Sequence, residues 1–400
     1  MRSLCAVLCL LVLSVAASAQ GGYAVSKGKI MDLETEEPLT SAFIGIPSTG
    51  FGTSPNIDGA FIFQFPNINI DSEVVVTCLG YETKRFLARN LNADNNLIQL
   101  KKVPLFNASY GLSDVRIMLL AAIDSIPKNY PDKPVYQNGF YQEQILLPQV
   151  GAIKVNEAVV RVERFPDEKE KFEKVKLLRG RRIEWTGQTS KTEGWGFQNG
   201  TQIVCKSLET IVPEFLQKKQ MKSYDFRIDS LMTVYDGMPL FIIHFWPINK
   251  RVKGAKEGNI YLEPESKSIV RIEYALTKDG IKDLIDINAG PIKISGNEVH
   301  AYTQYQLFQN KWRLQESKIV FNVNFEDKLD KKFKITSEIL MRYVAFENLP
   351  LIKSSIYEEE ILKSTNNFSA SKSLNPDFWS PYNYLISTKE AQKLAKNLSK

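Results

Sequence analysis

The sequence predicts a mainly β chain: a small N-terminal β-sandwich, a helical connector, and a larger curved antiparallel sheet or half-barrel with a few helices. Short apolar runs bounded by turn residues recur through the first hundred residues and again across residues 139–344. Tight-turn dipeptides, Asp58-Gly59 and Asp236-Gly237, sit between such runs. Helical spacing is confined to a few segments. The 400 residues, 44% apolar and 24% charged, describe an ordinary globular chain long enough for two or three domains. Lys and Arg total 51 against 45 Asp and Glu, and a net charge of +6 spread over this length is too small for a nucleic-acid footprint.

Residues 1–19 read as a secretory signal. Arg2 supplies the positive region, residues 4–15 are almost wholly apolar, and Ala17-Ser18-Ala19 is a small-residue cleavage site before Gln20. The run is shorter than the roughly 20 residues that span a bilayer. A lipoprotein signal requires a Cys directly after the run, whereas Cys5 and Cys9 lie inside it. Export predicts a periplasmic, outer-membrane or cell-surface location. It also permits a disulfide between Cys78 and Cys205. Because Cys78 lies in the apolar run 74–79, the reading is instead two small buried hydrophobes. No later stretch reaches 18 apolar residues, so no membrane-spanning helix is expected.

Residues 22–103 form the sandwich. Apolar runs at 27–31, 42–46, 60–65, 74–79 and 97–100 belong to about seven strands whose inward faces make the core. Gly28-Lys29-Ile30-Met31-Asp32, Glu37-Pro38-Leu39, Ala42-Phe43-Ile44, Gly52-Thr53, Asn56-Ile57-Asp58-Gly59-Ala60-Phe61 and Gly80-Tyr81 follow in order. This progression resembles the carboxypeptidase-regulatory-like domain, a transthyretin-like β-sandwich common in exported Bacteroidota proteins. It is similar to the N-terminal extension of TonB-dependent receptors. The resemblance implies an accessory module, not a peptidase. A zinc carboxypeptidase needs a His and a Glu three residues apart, plus a distant His. Pro247 stands three residues after His244, and Thr303 three after His300. No metal or cofactor site is predicted.

Residues 104–131 form the connector, with an amphipathic helix over 114–126 capped by Ser113 and ended by Pro127. The larger domain, residues 132–350, carries strand-like runs at 139–145, 158–162, 226–235, 238–246, 259–262, 269–276, 298–308, 312–324 and 333–344. Helices are expected over 167–178 and 208–219, the second interrupted by Pro213. In the central hairpin, Leu240, Ile242, His244 and Trp246 share one face, and Phe241, Ile243 and Phe245 the other. Both faces are apolar, so the strand is expected to be covered on both sides, with His244 a core histidine more than a base.

Candidate ligand contacts are Trp185, Trp195 and Phe197, on a loop where they would stack on a sugar or pin the loop, and His244 with Trp246. Lys250-Arg251-Val252-Lys253 would meet an anionic headgroup or form a solvated hairpin tip. Phe215-Leu216, Lys222 to Phe226 and Tyr235-Asp236-Gly237 resemble the uncharacterised C-terminal half of exported Bacteroidota proteins with the regulatory-like domain. Gly258-Asn259-Ile260-Tyr261 followed by Ile269-Val270-Arg271-Ile272 is similar to the half-barrel of periplasmic lipoprotein carriers, which implies an apolar concavity for an acyl chain.

The tail, residues 351–400, combines a polar linker, Phe378 and Trp379 as anchors, and a helix over 389–398. No nucleophile elbow, phosphate loop, dinucleotide fingerprint or His-Glu-x-x-His motif is present. The composite expectation is a non-enzymatic envelope binding or accessory protein, its partner an outer-membrane protein, a glycan or a lipid. The alternatives are a lipid or lipoprotein carrier and a hydrolase using two carboxylates across a cleft.

Overall fold

A computed structural model of the chain describes residues 22–107, 114–148, 150–169, 172–184, 199–248, 252–289, 292–330 and 334–398. The signal-like segment, Ser113, Trp185, Trp195, Phe197, Lys250 and Arg251 lie outside the described residues.

Two sheets form the N-terminal sandwich. Strands β1 (Tyr23–Asp32), β4 (Ala60–Pro66) and β7 (Asn96–Leu100) make one, with β1 central, antiparallel to β4 and parallel to β7. Strands β2 (Phe43–Ile46), β3 (Phe51–Thr53), β5 (Glu73–Thr77) and β6 (Lys84–Leu87) make the other, in the order β3-β2-β5-β6. Alternation places Phe61, Phe63 and Phe65 in a shared core with Ile44, Ile46, Val74 and Val76. The intervening Ile62 turns outward onto Phe140 and Trp379. The Asp58-Gly59 turn forms as the dipeptide predicts: Gly59 takes φ +75°, and Asn56 Oδ1 accepts from the Asp58 and Ala60 amides.

After β8 (Phe106–Asn107) the connector helix α1 (Val115–Asp124) forms, capped by Asp114, which accepts from the Arg116 and Ile117 amides. Pro127 lies at the start of a second short helix, α2 (Ile126–Asn129), where its missing N–H costs nothing.

Two meanders build the larger sheet. The first comprises β9 (Val135–Leu147), β10 (Gly151–Phe165) and β11 (Phe172–Glu184). After the short helix α3 (Gly200–Val204), the second runs through β12 (Tyr224–Tyr235), β13 (Met238–Pro247), β14 (Lys256–Glu263) and β15 (Ser268–Leu276). It continues past helix α4 (Lys278–Leu284) and β16 (Asp286–Ala289) into β17 (Ile292–Phe308), β18 (Lys311–Asp327) and β19 (Lys334–Pro350). Antiparallel pairing of β19 with β9 welds the meanders into one curved, open sheet, edged by β8 and by β20 (Ser369–Ala370). Register shifts in the β10, β17 and β18 pairings mark bulges, which bend long strands. Within β9, a Cβ on Gly139 would sit 2.3 Å from the Tyr343 ring, so the bare backbone makes room for that buried aromatic.

Two predicted helices are absent. Of residues 167–178, the stretch 172–178 belongs to β11 instead, paired along its length with β10. Their Lys/Glu alternation reads as a solvated helix, but Lys174 and Lys176 reach Glu358 and Glu360 of the tail, and the ladder overrides local propensity. Residues 208–219 are turns with one 3-10 turn, Glu214–Leu216, because Pro213 has no N–H to donate and disfavours helix before it. Nor is β13 covered on both sides throughout. Phe241, Ile243 and Phe245 are buried, while His244 on the other face is about one-third exposed. Cys78 and Cys205 are both free and buried, as two small hydrophobes.

Directly opposed residues share a face of a sheet. A single polar row therefore crosses the larger sheet: Arg181, Glu157, Gln142, Arg342, Lys318, Tyr302, Glu273, Asn259, His244 and Arg227. Arg181 pairs with Glu157 at 2.7 Å under the tail, where Trp379 covers its guanidinium at 4.8 Å. Arg342 pairs with Glu316 at 2.7 Å and donates to the sandwich carbonyls of Pro55 and Thr40 at 2.7 and 2.9 Å. The tail crosses to the sandwich as well: Asn383 accepts from the Gln64 amide and donates to its carbonyl. Helix α5 (Lys389–Leu398) then packs Ala391, Leu394 and Ala395 on Val155 and Ile183.

Candidate functional site

The opposite face of the sheet carries α1, α2 and the segment that leads into β12. Phe215 anchors that segment by stacking on Phe245 with ring centroids 4.2 Å apart. Arg116 of α1 donates to the carbonyls of Met221 and Tyr224. Between residues 203–217 and strands β15, β17 and β18 the packing leaves a cavity of about 440 Å³. Ile203, Leu208, Val212, Phe215, Ile272 and Ile319 give it an apolar wall. Thr303, Ser317 and Ala301 line the sheet side.

Polar groups stand at defined points. Lys256 forms an ion pair with Glu214 and lies 5.7 Å from the centroid of Tyr274. Burial, reinforced by Glu214, pushes the Tyr274 hydroxyl up to about 12. Tyr305 accepts from the Leu208 amide at 3.0 Å and meets Tyr130 edge-on at 5.3 Å; burial raises its pKa. Ser207 donates to Glu209, whose carboxyl is raised by burial and opposed by Arg164 at 3.6 Å. Lys206, at the rim, is exposed. The lining contains no His or Cys. Tyr305 and Ser207 are thus engaged with backbone and carboxylate, and Lys256 with Glu214. Among the described residues no group of three or more His, Cys, Asp or Glu is placed to hold a metal ion.

His244 and Trp246 lie elsewhere and line neither this cavity nor the one described below. The His244 ring faces Asn259 Oδ1 at 2.6 Å and Asp229 Oδ2 at 3.2 Å. Asp229 is held below the usual carboxylate range by the Leu231 amide and by His244. The sheet-side residues of the cavity come from separate strands, which no linear motif joins. The one local signal was alternation in β17, where Ala301, Thr303 and Tyr305 share a face.

No family model matches the chain, and no curated protein matches it. A DUF1329 family protein from Desulfovibrio piger superposes with a TM-score of 0.25 at 11% identity, over 60% of this chain and 93% of that one. A Bacteroides fragilis protein of unknown function, to which membrane association has been ascribed, gives a TM-score of 0.16 at 10% identity, over 81% and 98%. At those scores neither likeness identifies a shared fold.

Proposed function

We propose that this is an exported, non-enzymatic binding protein of the cell envelope, in which a carboxypeptidase-regulatory-like sandwich braces a half-barrel-like sheet. The sheet takes the apolar part of an amphipathic ligand, as a lipid carrier would. The cavity behind residues 203–217 carries this reading. Its volume falls within the roughly 300–1,000 Å³ of small-molecule sites, and its apolar wall rewards hydrocarbon burial by about 25 cal/mol per Å². Lys206 at the rim offers a contact for a polar or anionic head, while Lys256 is already neutralised by Glu214. The signal-like residues 1–19 support an envelope location. No helix among the described residues is long and apolar enough to cross a membrane.

The test is purification of the mature chain from its native envelope under mild conditions, with mass spectrometry of what accompanies it. A bound amphiphile, displaced by Thr303→Trp, is the expected result. Protein free of lipid that also fails to bind a fluorescent fatty acid would overturn the reading.

A further inference from the structure

On β17, His300 and Tyr302 alternate with Ala301 and Thr303, so they face away from the first cavity. There, where neither sandwich nor tail contributes to the lining, β14, β15, β17 and β18 line a second, open cavity of about 380 Å³. Glu257, Asn259, Glu273, His300, Tyr302 and Lys318 supply its polar groups.

Lys318 differs from the other cations that lie away from solvent on this face of the sheet, and from Arg227, which is exposed. Arg181, Arg342 and Arg271 each pair with a carboxylate, at 2.7, 2.7 and 3.1 Å. Among the described residues Lys318 has neither an ion pair nor a hydrogen bond, although it is half-buried, and Glu316 and Glu338 act on it only at longer range. Its neighbour Glu316 is taken by Arg342 and Tyr302. Burial, with Arg342 alongside, lowers the pKa of the ammonium, so an anion arriving there would offset a cost already present. The opposite end of the cavity has the reverse character. Glu273 is held by Asn259, Tyr261 and Arg271, whereas Glu257 is exposed. Carboxylates repel an anion and accept from hydroxyls.

We propose that this second cavity binds a small hydroxylated anion, the chemistry shared by uronates and sugar phosphates. Its charged end pairs with Lys318, and its hydroxyls donate to Glu257 and Glu273. The site lies on the other face of the sheet from the amphiphile cavity, although Tyr274 and Ala301 line both.

Isothermal titration of the mature chain with galacturonate, glucose 6-phosphate, glucose and inorganic phosphate tests this. At least one of the two acidic sugars should bind, and which one identifies the source of the charge. Glucose and inorganic phosphate should each bind at least tenfold more weakly. Lys318→Met should weaken the acidic sugar at least tenfold while melting no lower than the parent, because it removes a buried charge without a partner. Lys318→Arg should restore part of the affinity. The proposal is overturned if neither acidic sugar binds, if glucose or phosphate binds as tightly, or if Lys318→Met leaves affinity unchanged. A large fall in the melting temperature of Lys318→Met would assign the lysine a structural role instead.

Discussion

Replacing Arg342 with Met tests how the sandwich is fastened to the large sheet. The guanidinium reaches three acceptors at once: Glu316 at 2.7 Å, the Pro55 carbonyl at 2.7 Å and the Thr40 carbonyl at 2.9 Å. Both charged side chains are out of solvent, at 6% and 1% exposure. Without Arg342, Glu316 retains only the Tyr302 hydroxyl. Stranding a buried charge in this way costs about 3–5 kcal/mol. The two orphaned carbonyls add about 1 kcal/mol each. Arg342→Met should therefore destabilise by about 5 kcal/mol, read as a lower denaturant midpoint by tryptophan fluorescence and far-UV circular dichroism. Limited proteolysis should cut first between the sandwich and β9. Because most of the loss is the stranded carboxylate, adding Glu316→Gln should recover about half of it. A single variant that loses less than 1 kcal/mol, or a double variant no more stable than the single, would refute the reasoning.

Other perturbations follow from local contacts. Trp379 is fully buried against Phe140 at 4.9 Å, so Trp379→Ala should cost about 3–5 kcal/mol and expose residues 370–398 to protease early. Burial pushes the Cys78 thiol up to about 11, so a maleimide at pH 7.5 should label neither buried cysteine until the chain is unfolded, and oxidant should leave the melting temperature unchanged. The Asp32 carboxylate accepts from the Thr35 and Glu34 amides and the Tyr81 hydroxyl, which depress its pKa below the ordinary 3.8. A depressed carboxylate stabilises the fold above the unfolded value and loses that contribution as pH falls through the folded one. Asp32→Asn should then melt below the parent at pH 6, with the gap closing as the pH falls below the ordinary carboxylate value.

The mainly β character was legible because alternation and turn chemistry are local. Phe61, Phe63 and Phe65 needed only a pleated strand to share a face, and Gly59 only a tight turn. The helix α1 and the helix Lys389–Leu398 were legible for the same reason, since their signals lie within a few residues, although the cap of α1 is Asp114 and not the expected Ser113. Residues 172–184 were not, because a Lys/Glu-rich segment satisfies helical spacing and strand alternation alike, and only β10 beside it selects the strand. His244 and Trp246 drew attention as rare residue types. Their neighbours Asn259 and Asp229 arrive through strand register, which no linear motif encodes.

By itself the sequence determined the elements that depend on nearest neighbours: strand alternation, tight turns and the connector helix. Tertiary structure alone decided that β19 meets β9, that ten polar side chains align across the sheet, and that one lysine in that row has no carboxylate. The reason is physical. A strand offers the same backbone donors and acceptors to any partner, so its register is set by burial and bulges summed over the whole sheet. The cavities and their charges are properties of that register.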